Sequence, residues 1–227
     1  MRKRKHLILL VTLVVALIMV SFSRHLVLGP LISKVLVTLV VLAVLLVVFE
    51  RGFQRRIALV AAVAAMAMNW VHYFHWASQY QVMLASAYHA LHAAFMGFAV
   101  AVILAQVFAQ KSVTADSVLG AVAGYLLAAA AWANVYSLTE LFVPGSFAMS
   151  REFAQQLVQW NGRAAVFDYF SLVTLSTMGY GDITPLRAPA TAFATLEAVF
   201  GQFYIAVVVA QLVGLRLAQA LSANLKD

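Results

Sequence analysis

Between Ile57 and Gln110 the chain runs for 54 residues without a single Lys, Arg, Asp or Glu. An ordinary water-soluble domain, about a quarter charged, does not hold such a stretch. A helix needs about 20 apolar residues to cross a bilayer, so this stretch alone predicts two spans. Leu7–Ser23, Val35–Phe49, Ser117–Thr139 and Ala198–Leu215 are equally free of charge. Together they predict six hydrophobic segments, roughly 7–23, 31–49, 57–75, 82–108, 117–140 and 189–215. The composition agrees: 64% of the 227 residues are hydrophobic and 10% charged. The fold class is an all-α integral membrane protein.

A formal charge of +7 raises the question of nucleic acid, but the basic residues sit at span ends. Arg2, Lys3, Arg4 and Lys5 precede the first segment, and Arg51, Arg55 and Arg56 follow the second. With the N-terminus inside, ten Lys and Arg fall on the inner side and five on the outer, Lys34 and Arg163 among the five. The bias places both termini in the cytoplasm of a cell-membrane protein. The opening MRKRK and the apolar run after it also suit a secretory signal, though the run is long for one, and a retained span is expected. Lack of cysteine excludes disulfides and thiol chemistry. The organisation reads as a four-helix membrane domain over 1–112 and a second domain over 113–227.

Residues 141–188 are too polar to span and too apolar for a plain loop. Pro144-Gly145 is a turn signal, and Ser150–Trp160 reads as an interfacial helix with Ser150 as N-cap. Phe167-Asp168-Tyr169-Phe170-Ser171-Leu172-Val173-Thr174-Leu175-Ser176 then suits a helix too short to cross a bilayer, which Gly179-Tyr180-Gly181 breaks. Non-helical backbone at membrane depth survives only where protein buries it or it lines a watery path. A half-helix and glycine-rich strand between two spans therefore predict a re-entrant pore loop. A dehydrated cation needs oxygens in place of water, and rings of backbone carbonyls supply them. Successive carbonyls face one axis only if neighbouring residues take mirror-related dihedrals, which Gly179 and Gly181 reach at little cost. The carbonyls of Thr177, Met178, Gly179 and Tyr180, with the Thr177 hydroxyl, would stack as oxygen rings. One chain supplies one wall, so a closed cage needs several copies about an axis. Asp168 is expected at the start of the half-helix, offsetting its positive end. Tyr180 is expected to brace the strand against Tyr169 and Phe170, and Asp182 to concentrate cations at the mouth.

Thr177-Met178-Gly179-Tyr180-Gly181-Asp182 resembles the T-V-G-Y-G-D selectivity filter of potassium channels, and Tyr169–Ser176 resembles their pore helix. The likeness covers about residues 117–215: outer helix, turret, pore loop and inner helix. It implies a homotetramer in the lipid bilayer that conducts K+ passively, with K+ ions in the filter, no organic cofactor and no enzymatic reaction. No nucleic-acid partner or soluble ligand domain is expected. Gly201 falls where that family often has an inner-helix hinge. Met178 stands where the family has Val, and its flexible thioether packs less uniquely than a β-branched chain. A weakly selective cation channel is the alternative that this departure raises.

The fourth segment would be the voltage sensor in a six-span channel, yet Gln81–Gln110 holds no Lys or Arg. Sensing requires several such charges moving through the field, so an arginine-type sensor is excluded. Histidines stand there instead: His72 and His75 in the third segment, His89 and His92 in the fourth, each pair spaced to share a helix face. They could bind a metal, respond to pH, or belong to an interfacial aromatic belt. A membrane metal or haem protein built on these four residues is the rival from another class. Glu197, the one carboxylate of the sixth segment, is a gating candidate beside Gly201. It would pair with a pore-helix hydroxyl such as Ser176 or face the permeation path.

Overall fold

The computed structural model describes residues 5–23, 26–49, 52–74, 80–158 and 162–224. Six of its helices are long and apolar enough to cross a membrane. They are α1 (Lys5–Ser23), α2 (Gly29–Val47), α3 (Phe53–Phe74), α4 (Gln81–Ala109), α5 (Ala115–Phe142) and α8 (Ala188–Asn224). Between α5 and α8 lie β1 (Phe147–Met149), α6 (Arg151–Val158), α7 (Gly162–Leu175) and β2 (Ile183–Pro185). The six segments read from hydropathy thus correspond to six helices, each within a few residues except α8, which runs on past Leu215.

Helix starts follow local chemistry. Pro30 in the first turn of α2 uses its missing N–H where none is needed. At α5 the Thr114 hydroxyl accepts from the Ser117 N–H at 3.2 Å, and the Ser117 hydroxyl accepts from the Thr114 N–H. Arg2, Lys3, Arg4, Arg24, Arg51, His75 and Trp160 lie outside the described residues. Lys34, counted on the outer side, lies inside α2 and is 5% exposed. Arg163 lies in the first turn of α7.

Two apolar clusters organise the packing. The larger joins α1–α4 to α5 through Leu9, Val41, Val44, Phe95, Ile103 and Leu127. The smaller wraps Tyr136 of α5 with Phe147, Phe167 and Phe170. Helices in lipid gain little from apolar contact alone, so close packing and interhelical hydrogen bonds fix their register. His6 at the start of α1 donates its N–H to Asp116 of α5 at 3.0 Å and holds the same carboxylate with Nδ1 at 2.7 Å. The Asn69 amide of α3 donates to the Lys34 carbonyl of α2 at 3.0 Å. Gln106 of α4 donates to the Val48 carbonyl at 3.1 Å. Tyr204 of α8 donates to the Ala121 carbonyl of α5 at 2.7 Å.

The two strands were not expected from the sequence. β1 and β2 pair antiparallel, with Phe147 opposite Pro185 and Met149 opposite Ile183. They join the chain before α6 to the chain immediately after Asp182, so α6, α7 and residues 176–182 form one excursion from a closed base. Beside this base the Glu140 carboxylate accepts from the N–H groups of Gly145 and Ser146 at 2.8 and 3.0 Å, fixing the expected turn. The short helix expected over 150–160 is α6, with the Ser150 hydroxyl accepting weakly from the Phe153 N–H at 3.4 Å.

Candidate functional site

The site begins with how α7 ends. The Thr177 N–H donates to the Thr174 carbonyl at 3.0 Å and the Met178 N–H to the Val173 carbonyl at 2.9 Å. Thr177 has φ 57°. This is a Schellman close, with Thr177 as its left-handed residue, and it satisfies two carbonyls that the helix would otherwise leave open. Gly179 and Gly181 follow with φ 56° and 78°, while Met178 and Tyr180 between them keep negative φ. The dihedral sign therefore alternates over Thr177–Gly181, the backbone pattern that turns successive carbonyls toward one side. A left-handed residue other than glycine is strained by about 1–2 kcal/mol, and at Thr177 the helix close holds it.

α7 starts at Gly162, so Asp168 lies in its middle, not at its N-terminus. The helix-end role read for that carboxylate does not hold. The stretch Arg163-Ala164-Ala165-Val166 extends the helix backward because it contains nothing that stops one.

The aromatic neighbours also differ from expectation. Phe170 packs edge-on against Tyr136 and Phe147, at 4.9 and 5.3 Å between centroids. Tyr169 stacks on Phe153 of α6 at 5.7 Å, and its hydroxyl donates to the Asp182 carboxylate. Tyr180 is 65% exposed in the single chain, so most of its ring is open and not packed within its own chain. Asp182 also accepts from the Ile183 N–H at 3.0 Å, which ties the end of the segment to the start of β2.

Behind the segment stands Glu197, wholly buried on α8. It accepts from the Ser171 hydroxyl of α7 and from the Tyr136 hydroxyl of α5. Of the two expected settings, a hydroxyl of the short helix or the permeation path, the first is the one seen, with Ser171 in place of Ser176, whose hydroxyl donates to the Leu172 carbonyl of its own helix at 2.6 Å. The same Ser171 oxygen also lies 2.8 Å from the Ala129 carbonyl, so its single proton is shared between α5 and α8. Gly201 sits one turn further along α8. A Cβ there would lie 2.2 Å from the Leu175 carbonyl oxygen at the end of α7. The glycine is accounted for by this close approach, and α8 runs through it unbroken.

Gln202 was missed. Its amide donates to the Thr177 hydroxyl at 3.2 Å. A glutamine next to a helix glycine carries no signal in sequence; only the crossing of α8 beneath the end of α7 gives it meaning.

Three of the four histidines line one cavity, described below. Among the described residues no three His, Asp or Glu side chains gather closely enough to hold a metal ion.

Residues 124–215 match the family model described as "Ion channel", which takes in most of α5, all of α7, the alternating segment and α8 as far as Leu215. No curated protein and no solved structure matches the chain. The match supports an ion channel, and so passive conduction across a membrane, for the part of the chain that carries Thr177–Asp182.

Proposed function

We propose that this protein is a potassium-selective channel that conducts K+ passively and is not opened by an arginine-type voltage sensor. The single observation that carries the reading is the alternating dihedral sign over Thr177–Gly181. Rings of carbonyls facing an axis replace the hydration shell of a cation, and four or five such rings from several chains close the cage. On this reading 176–182 is the filter, α7 the pore helix of a re-entrant loop, and α8 the inner helix. Gln202 orients the Thr177 hydroxyl at the inner end of the filter, and Tyr169 holds Asp182 at the outer end.

The working unit is a homotetramer. Only 17% of the apolar window of α8 is buried within one chain, against 44% for α5, and Leu196, Val199, Phe203 and Ile205 stand exposed. Copies meeting about the filter axis would cover that face. The cell membrane is the assigned location, with both termini cytoplasmic.

The test is reconstitution of the purified chain in liposomes under opposed K+ and Na+ gradients. A reversal potential near that of K+ is expected, with no haem absorbance in the sample. Reversal near zero would instead establish the weakly selective channel that Met178 raises. Gly179→Ala should abolish the current while the tetramer persists, because a Cβ penalises the left-handed dihedral.

A further inference from the structure

Glu197 is 0% exposed and lies inside a membrane-spanning helix. Three contacts between oxygens surround its carboxyl group. The Tyr136 hydroxyl of α5 meets Oε2 at 2.5 Å, the Ser171 hydroxyl of α7 meets Oε1, and the same Ser171 oxygen lies 2.8 Å from the Ala129 carbonyl of α5. Oxygens this close are hydrogen-bonded, so three contacts call for three protons. Each hydroxyl brings one and the carbonyl brings none.

Taken as a carboxylate, Glu197 accepts from both hydroxyls and the count stops at two. The one Ser171 proton then serves Ala129 and Glu197 together, and each contact is half made. A carboxylic acid brings the third proton. Tyr136 donates to Oε2, Oε1 donates to Ser171, and Ser171 is free to donate to Ala129. This reverses the direction of the Ser171 contact and gives every oxygen pair a hydrogen of its own.

The surroundings point the same way. A lone carboxylate in an apolar interior is costly enough to take up a proton instead. Its partners are two hydroxyls, neither with a charge to offset its own. The ionisable groups that face it from α5 are Tyr136 and Tyr125. Glu140 and Asp116, near the two ends of α5, are bonded elsewhere. Arg163 and Asp168 of α7 face a cavity of about 530 Å³, where α1–α4 meet α5 and α7. Its wall includes His72, His89 and His92 but not Glu197. β2 has no ionisable side chain, and α8 itself has no other charged residue before Arg216.

We propose that Glu197 is a neutral carboxylic acid in the folded protein, whose proton completes a chain from Tyr136 through Glu197 and Ser171 to Ala129. It is a positioning residue: through Ser171 it fixes how α7 is turned, and α7 ends in the segment Thr177–Gly181. The assignment concerns one proton and stands whichever ion the channel passes.

Infrared difference spectra of the full-length assembled protein near neutral pH, wild type against Glu197→Gln, read the proton directly. Wild type should show the carbonyl stretch of a carboxylic acid, which the variant lacks. Loss of a carboxylate stretch with no acid band would overturn the proposal. Tyr136→Phe keeps the acid and removes only the hydroxyl that donates to its carbonyl oxygen, so the acid band should move to higher frequency. An unmoved band would place the proton on another residue and overturn the proposal, and this variant decides the matter should Glu197→Gln fail to assemble.

A second readout is the pH dependence of thermal unfolding. An unfolded chain releases the proton above the ordinary glutamate range, about pH 4.3. The folded state then binds one proton more per chain, so each unit rise between about pH 5 and 7 should weigh about tenfold against it. Glu197→Gln, with one donor and one acceptor but no proton to lose, should lack this component. Equal slopes in the two proteins would overturn the proposal, because a group ionised in both states releases nothing on unfolding.

Discussion

In α5–α8 three buried polar side chains tie neighbouring helices together, although Ser137 and Thr139 of α5 turn back on their own helix. Glu197 joins α8 to α5 and α7, Ser171 joins α7 to α5 and α8, and Tyr204 joins α8 to α5. In α1–α4 Asn69, Ser23 and Gln106 also bond to neighbouring elements, and the imidazole of His92 turns back on its own helix. Both regions face the same constraint, that polar groups in lipid need partners. The first meets it largely through Glu197, which ties three helices together. The second leaves Asn69 Oδ1 and His92 Nε2 without a partner among the described residues.

The largest effect should come from Glu197→Leu. It leaves the buried Ser171 and Tyr136 hydroxyls facing an apolar chain, at a cost of about 3–5 kcal/mol, while Glu197→Gln should cost about half as much. Thermal dissociation of the assembled protein measures both, and a change below about 1 kcal/mol for Leu would show that the clamp does not exist. Next comes a matched pair of helical glycines. Gly201→Ala drives a methyl into the Leu175 carbonyl and should cost about 1–3 kcal/mol together with loss of current. Gly97→Ala in α4 meets nothing within 4 Å and should stabilise by about 0.5–1 kcal/mol. Equal responses of the two would erase the distinction between regions.

Asn69→Leu should matter less. The amide nitrogen loses bonds to the Lys34 carbonyl and the Thr38 hydroxyl, but its buried oxygen has no partner among the described residues, so removing it recovers part of the loss. About 1 kcal/mol or less is expected by thermal unfolding. The smallest effect is that of voltage. Each charge crossing the field contributes about 2.3 kcal/mol per 100 mV, and α4 contains none. The opening curve should be shallow, equivalent to about one charge per chain at most. A steep curve would show that the four-helix region carries charge through the field.

Hydropathy made the six spans legible, because lipid demands long apolar helices whatever their packing. The alternation at Gly179 and Gly181 was legible too, since glycine at every second position has few other uses in a strand, but the left-handed Thr177 that extends it was not. The start of α7 was not. A carboxylate at Asp168 suggested a helix end, but alanines before it continue the helix, and no residue type forbids that. That Glu197 pairs with a hydroxyl of the short helix was legible, but that the hydroxyl is Ser171 and not Ser176 was not, because it depends on how α7 is turned against α8, which is tertiary. The burial of Lys34 was not legible for a similar reason: a lysine near the edge of an apolar run gives no sign that the Tyr88 ring waits behind it. The β1–β2 pairing spans too many residues for any local pattern to announce it.

That pairing has a consequence for tolerance to change. Because Phe147–Met149 and Ile183–Pro185 fasten the base, the chain between them is a ring whose circumference can vary without moving its clasp. Doubling the length of a flexible loop costs only about 0.6 kcal/mol in closure entropy. An epitope or a small folded tag inserted between α6 and α7 should thus be carried like a charm on a bracelet, with the ion path indifferent to its presence.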